Sequence, residues 1–151
     1  MDSARHRIIG VLTAGALIFP AGPVGAEEAV QEPAAVVVRV TGIRHPAGML
    51  YVGICSAATF LKPTCDANQG QRVDSVSDHV FRFEDLPSGT YAVQVLHDTN
   101  GDGKMEQDQW GAPLEPTGFS RDAIGYYGPP DFESAAFAFD GKEIVISVKI
   151  R

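Results

Sequence analysis

Positive charge is scarce in this chain. Its 12 Lys and Arg stand against 19 Asp and Glu, for a net charge of −7 and a pI near 4.9. Nucleic-acid-binding domains carry a basic face, so this balance argues against DNA or RNA as a partner. Cysteine is scarce too. Cys55 and Cys65 are the only two, and their spacing is not the Cys-x-x-Cys of a redox pair. Long apolar runs are missing: Ile8 to Phe19 falls short of the roughly 20 residues that a membrane-crossing helix needs. No helical hydrophobic period of useful length appears after residue 26, which excludes a coiled coil. The remaining composition, 44% apolar and 21% charged over 151 residues, is that of one ordinary globular domain.

What is present begins with a leader. Arg5, His6 and Arg7 precede the apolar run, and a small-residue stretch ends at Val24-Gly25-Ala26. This order predicts a signal peptide over residues 1–26, cleaved after Ala26, and a periplasmic or secreted product. No Cys sits just past the cleavage site, so no lipid anchor is expected there. Residues 27–34 read as a flexible lead and 35–151 as the domain. In an exported protein the two cysteines favour a Cys55–Cys65 disulfide, worth roughly 2–3 kcal/mol in the chain-entropy picture.

The domain reads as short strands. Ala35–Thr41 is β-branched, with Val36, Val38 and Val40 on one face. Met49–Cys55 follows across a Gly- and Pro-containing turn and is expected to form a hairpin with it. His79–Phe83 alternates cleanly. Thr90–His97 puts Tyr91, Val93, Val95 and His97 on one face. Ala136–Phe139 and Glu143–Ile150 flank Asp140-Gly141, a hairpin signal. Ser56 to Asp78 reads as a loop with one short helical turn at most. Six strands predict an all-β, antiparallel two-sheet sandwich of immunoglobulin or prealbumin type, with room for a seventh strand in either long loop.

Asp98 to Ser134 carries no evident strand or helix, and structureless segments of this length are uncommon in compact domains and usually functional. Its opening, Asp98-Thr-Asn100-Gly-Asp102-Gly103-Lys104-Met-Glu106, matches the front half of an EF-hand loop. Calcium takes six to eight oxygens. In that register Asp98, Asn100, Asp102 and Glu106 offer side-chain oxygens, and Lys104 its carbonyl. The twelfth position, normally a bidentate Glu, is Gln109. Asp108, Glu115 and Asp122 are the carboxylates able to fold back instead. Calcium is therefore the candidate cofactor, at a weak site of roughly 0.1–1 mM. The same residues also make ordinary turns without metal.

Elsewhere in the segment, Gly118-Phe-Ser120 lacks a nucleophile elbow, so no catalytic residue is assigned. Glu115 reads as a loop-fixing acceptor and His97 as a packed histidine. Among the aromatics, Trp110, Tyr126 and Tyr127 are candidate ligand-binding rings. The alternative is a satellite core that they form with Phe119 and Phe132.

The run Phe83-Glu-Asp-Leu86-Pro-Ser-Gly89-Thr-Tyr91-Ala-Val93 resembles the strand-turn-strand of prealbumin-like modules. His97-Asp98, Asn100-Gly101, Gly103-Lys104, Gly111, Pro113, Glu115, Gly118-Phe119-Ser120, Gly128-Pro129-Pro130, Phe132 and Ala135 closely resemble the bacterial domain-of-unknown-function family 2141. Asp102 stands where that family often has Asn, and Glu106 where Asp is usual; both keep an oxygen. The resemblance implies an exported all-β sandwich and supplies no catalytic residues. The sequence thus points to a non-enzymatic binding or structural module of the cell envelope with a calcium-stabilised loop, its partner an envelope protein or glycan. Two alternatives remain: an envelope enzyme or accessory domain in which His97, Glu115 and Ser120 converge, and a carbohydrate- or peptide-binding module.

Overall fold

The computed structural model describes residues 34–151. The expected leader, its cleavage after Ala26 and residues 27–33 of the lead lie outside the described residues. Strand alternation does most of the folding. β1 (Ala35–Thr41) turns Val36, Val38 and Val40 inward, and all three are fully buried. β2 (Met49–Cys55) buries Leu50, Val52 and Ile54. β3 (Ala67–Arg72) precedes β4 (His79–Glu84), which buries Phe81 and Phe83. β5 (Gly89–Asp98) buries Tyr91, Val93, Val95 and His97 on one face, as its pattern predicts. Then come the short β6 (Thr117–Phe119), a 3₁₀ turn at Ser120–Asp122 and the single-turn helix α1 (Phe132–Ala135). β7 (Phe137–Phe139) and β8 (Ile144–Lys149) close the chain.

One sheet has the order β4-β1-β8 and the other β3-β2-β5-β6, with β7 also pairing β5. Val36, Val38, Val40, Phe81, Phe83 and Val148 from the first meet Leu50, Val52, Ile54, Val93 and Val95 from the second in one core. The fold is thus all-β, a sandwich of two mainly antiparallel sheets. The exception is β1–β8, which run parallel with Val38 opposite Ile146.

Both expected hairpins are absent. β1 pairs with β4 and β8, whereas β2 pairs with β3 and β5. The Gly42–Gly48 connection crosses between the sheets instead of folding back. Gly48 enters β2 with φ +76, so close to the end of β5 that an added Cβ would lie 1.9 Å from the Asp98 carbonyl oxygen; only glycine fits there. The His97 Nε2–H donates to the Ala47 carbonyl at 2.8 Å and pins this crossing. At the other end, Asp140 Oδ1 accepts the Lys142 amide and Gly141 has φ +86. That turn carries the chain from β7, beside β5, across to β1 rather than into a hairpin.

The two long loops are less bare than their composition suggests. Ser56–Asp78 holds β3, which pairs along β2 with Val52 opposite Gln69. The 98–134 segment holds β6, the 3₁₀ turn and most of α1. Cys55 and Cys65 form a disulfide that ties the end of β2 to the approach of β3. No helix among the described residues is long and apolar enough to cross a membrane.

Candidate functional site

β5 ends at Asp98 and the chain curls at once. Asp98 is fully buried. One carboxylate oxygen accepts the Gly101 amide at 2.6 Å and the other the Gly103 amide at 2.8 Å. Gly103 takes φ +79, the left-handed backbone that lets the loop turn back on this carboxylate. Asn100 Oδ1 accepts the Asp102 amide and Asp102 Oδ1 the Lys104 amide, both at 2.9 Å. The Asn100 side-chain amide donates to Glu106 at 2.6 Å. The predicted ligands Asp98, Asn100, Asp102, Lys104 and Glu106 therefore share one tight loop, with their oxygens turned largely onto its own amides. No group of three or more His, Cys, Asp or Glu among the described residues is placed to hold a metal ion.

Beyond this loop the chain makes a small finger. The Leu114 amide donates to the Glu106 carbonyl and the Asp108 amide to the Ala112 carbonyl, each at 2.9 Å. Gln107 and Pro113 bridge between these pairs. Asp108 Oδ1 accepts the amides of Trp110 and Ala112 and so caps the tip. Trp110 therefore projects from a braced turn. The returning limb delivers Glu115 to the base of the finger, where its Oε1 accepts the Thr99 amide at 2.7 Å and lies 3.3 Å from the Thr99 hydroxyl. Glu115 is buried, and its Oε2 has no hydrogen-bond partner.

The loop aromatics divide into two sets. Phe119 and Phe132 pack edge-on against Phe60, with ring centroids 5.8 and 5.7 Å from it. Of the five loop rings expected in a satellite core, these two alone are packed in this way, with Phe60 as their hub. Trp110, Tyr126 and Tyr127 stay out in solvent, 82%, 94% and 106% exposed. All three line one groove of about 630 Å³, together with Leu61, Met105 and Ile124. A second groove of about 800 Å³ crosses the outer face of β2, β3 and β5 and shares Leu61, Met105, Thr117 and Phe119 with the first. Gln94 holds this shared rim by accepting the Leu61 amide and donating to the Lys62 carbonyl, each at 2.9 Å. Leu61, Met105 and Ile124 are lining residues that sequence patterning missed. An isolated apolar side chain in a polar loop carries no periodic signal.

The candidate acid–base residues are not brought into hydrogen-bonding contact with one another. The His97 ring bonds Ala47, and one oxygen of the Glu115 carboxylate bonds Thr99. Ser120 is fully buried; its hydroxyl accepts the Val93 amide at 2.8 Å and donates to the Ala135 carbonyl at 2.5 Å. That hydroxyl is a structural joint.

Fold and site together define a small β-sandwich that carries its exposed aromatic surface on the long β5–β7 connection. A family model described as an uncharacterized protein conserved in bacteria (DUF2141) matches residues 38–147, most of the described chain, and the chain belongs to that family. No curated protein and no solved structure matches it.

Proposed function

We propose that this protein is an exported, non-enzymatic binding module of the cell envelope whose working surface is the aromatic groove. The observation that carries this reading is the joint exposure of Trp110, Tyr126 and Tyr127 on one groove. Contiguous exposed apolar surface is disfavoured in water and marks interaction sites. Trp and Tyr offer large, rigid contact area with a polar edge. The only charged residue lining this groove is Arg151, whose guanidinium pairs with Asp122 at 3.5 Å. That lining suits a neutral or weakly acidic glycan or peptide segment. The engagement of the Ser120 hydroxyl by backbone supports a binding role over hydrolysis. Export rests on the leader pattern and on the disulfide, a bond that persists in oxidising compartments. Calcium enters as a stabiliser of the loop that leads into the Trp110 finger.

Trp110 is the only tryptophan in the chain, so its fluorescence reports the groove directly. The test is a glycan array and a peptide array probed with the wild-type protein and with a Trp110→Ala, Tyr126→Ala, Tyr127→Ala variant. Hits should blue-shift the Trp110 emission of the wild type and vanish in the triple variant. A wild type without hits, or hits that survive in the triple variant, overturns the reading. Whether the glycan or the peptide array responds decides between those two ligand classes.

A further inference from the structure

The 98–106 loop has the front half of a calcium-binding pattern and lacks its last ligand. Gln109, in the twelfth position, is carried off to the finger tip by the pairing of Glu106 with Leu114 and of Asp108 with Ala112. The same pairing brings a different carboxylate home. Glu115 follows the returning limb directly and holds Thr99, inside the loop, at 2.7 Å. It is only 6% exposed, and its second oxygen is buried with no partner. A buried carboxylate oxygen without a partner is costly and is relieved by a proton or by a cation.

Glu106 lies at the same end of the finger: its carbonyl accepts the Leu114 amide, next to Glu115, and its carboxylate accepts the Asn100 side-chain amide at 2.6 Å. The pairing of Glu106 with Leu114 brings two carboxylate-bearing residues, Glu106 and Glu115, to the base of one loop, and the repulsion of like charges held close is what a divalent ion offsets. No three of the carboxylates among the described residues stand together as a ready cluster, so a cation there draws on neutral oxygens as well: calcium accepts amide and backbone carbonyl oxygens, which Asn100 and Lys104 provide. Asp98 and Asp102 retain lone pairs beyond those engaged by the loop amides.

We propose that Glu115 supplies the carboxylate missing from the loop's twelfth position, so that the 98–106 loop and Glu115 together bind a divalent cation of calcium type. This rests on the calcium part of the function proposed above and is independent of the aromatic groove. A cation there would lock the base of the finger that presents Trp110.

The experiment is calcium titration of the purified protein, followed by calorimetry and by thermal melting in EDTA and in calcium chloride. A ligand that binds only the native state raises the melting temperature. The wild type should bind calcium and be stabilised by it. Glu115→Gln keeps an oxygen for Thr99 and removes the charge. It should fold in EDTA and bind calcium at least about tenfold more weakly. Should that variant fail to fold, Glu106→Gln carries the same test at the neighbouring carboxylate. A calcium response of wild-type affinity in the folded variant overturns the role of Glu115 and leaves the calcium loop standing. A wild type that neither binds calcium nor gains stability from it overturns both.

Discussion

The Val93 amide donates to the Ser120 hydroxyl at 2.8 Å, at the point along β5 where pairing with β6 has ended and pairing with β7 has not begun. The same hydroxyl donates to the Ala135 carbonyl. One side chain thus fills a gap in the sheet that backbone alone leaves open. Ser120→Ala strands a buried amide and a buried carbonyl, each without water. We predict a loss of roughly 1–3 kcal/mol, read by urea unfolding. A variant within about 0.5 kcal/mol of wild type would show that the joint is not structural.

A second close approach links β2 to the disulfide. A Cβ added at Gly53 would lie 2.7 Å from Cys65 Sγ and 3.2 Å from Cys65 Cβ. Gly53→Ala is therefore an overpacking change and should cost roughly 1–3 kcal/mol. In a Cys55→Ala, Cys65→Ala background the sulfur is gone, and most of that penalty should go with it. The double-mutant cycle checks this: equal penalties in both backgrounds would place the strain elsewhere.

Most strands were legible because their inward faces alternate. Val36-x-Val38-x-Val40 and Tyr91-x-Val93-x-Val95 point to one side whichever partner they find. β3 escaped because its side chains are nearly all exposed and polar, Ala67 to Arg72; backbone pairing with β2 makes it a strand, and no hydrophobic period marks it. β6 is three residues long, too short to alternate visibly. The strand partners were misread at both hairpins for one reason. Turn residues such as Asp140-Gly141 say that the chain reverses, not which sheet receives it. At the site, the loop residues were readable from spacing. The return of Glu115 to Thr99 was not, because it depends on the 106–114 finger, whose pairing is backbone-made.

Asp66 gives the fold an acid-sensitive tie. Its Oδ2 accepts both the Ser56 amide and the Thr59 hydroxyl at 2.6 Å, fastening the turn inside the disulfide loop. The Thr59 hydroxyl first, and the Ser56 amide second, hold its pKa below the ordinary aspartate value of 3.8. A carboxyl with a lowered folded-state pKa contributes stability above its unfolded value and loses it as pH falls through the folded one. We predict that Asp66→Ala is less stable than wild type at neutral pH, and that the gap shrinks as pH drops below about 3.8. Melting temperatures of both proteins from pH 7 to pH 2 measure it. A gap unchanged across that range would mean that the Asp66 charge contributes nothing.

The two sets of loop aromatics should separate cleanly by mutation. Phe60 meets Phe119 and Phe132 edge-on at 5.8 and 5.7 Å, and such pairs add about 0.5–1.5 kcal/mol each beyond area burial. Phe60→Ala should therefore destabilise by about 2 kcal/mol or more, since it removes both contacts and leaves Phe119 and Phe132 facing a void. Tyr126 and Tyr127 are fully exposed, and replacing exposed side chains that make no special contact changes stability by less than about 0.5 kcal/mol. Chemical denaturation of Phe60→Ala beside Tyr126→Ala, Tyr127→Ala tests the contrast. If the tyrosine pair costs as much as Phe60, those rings are holding the loop together, and their exposure no longer argues for a ligand.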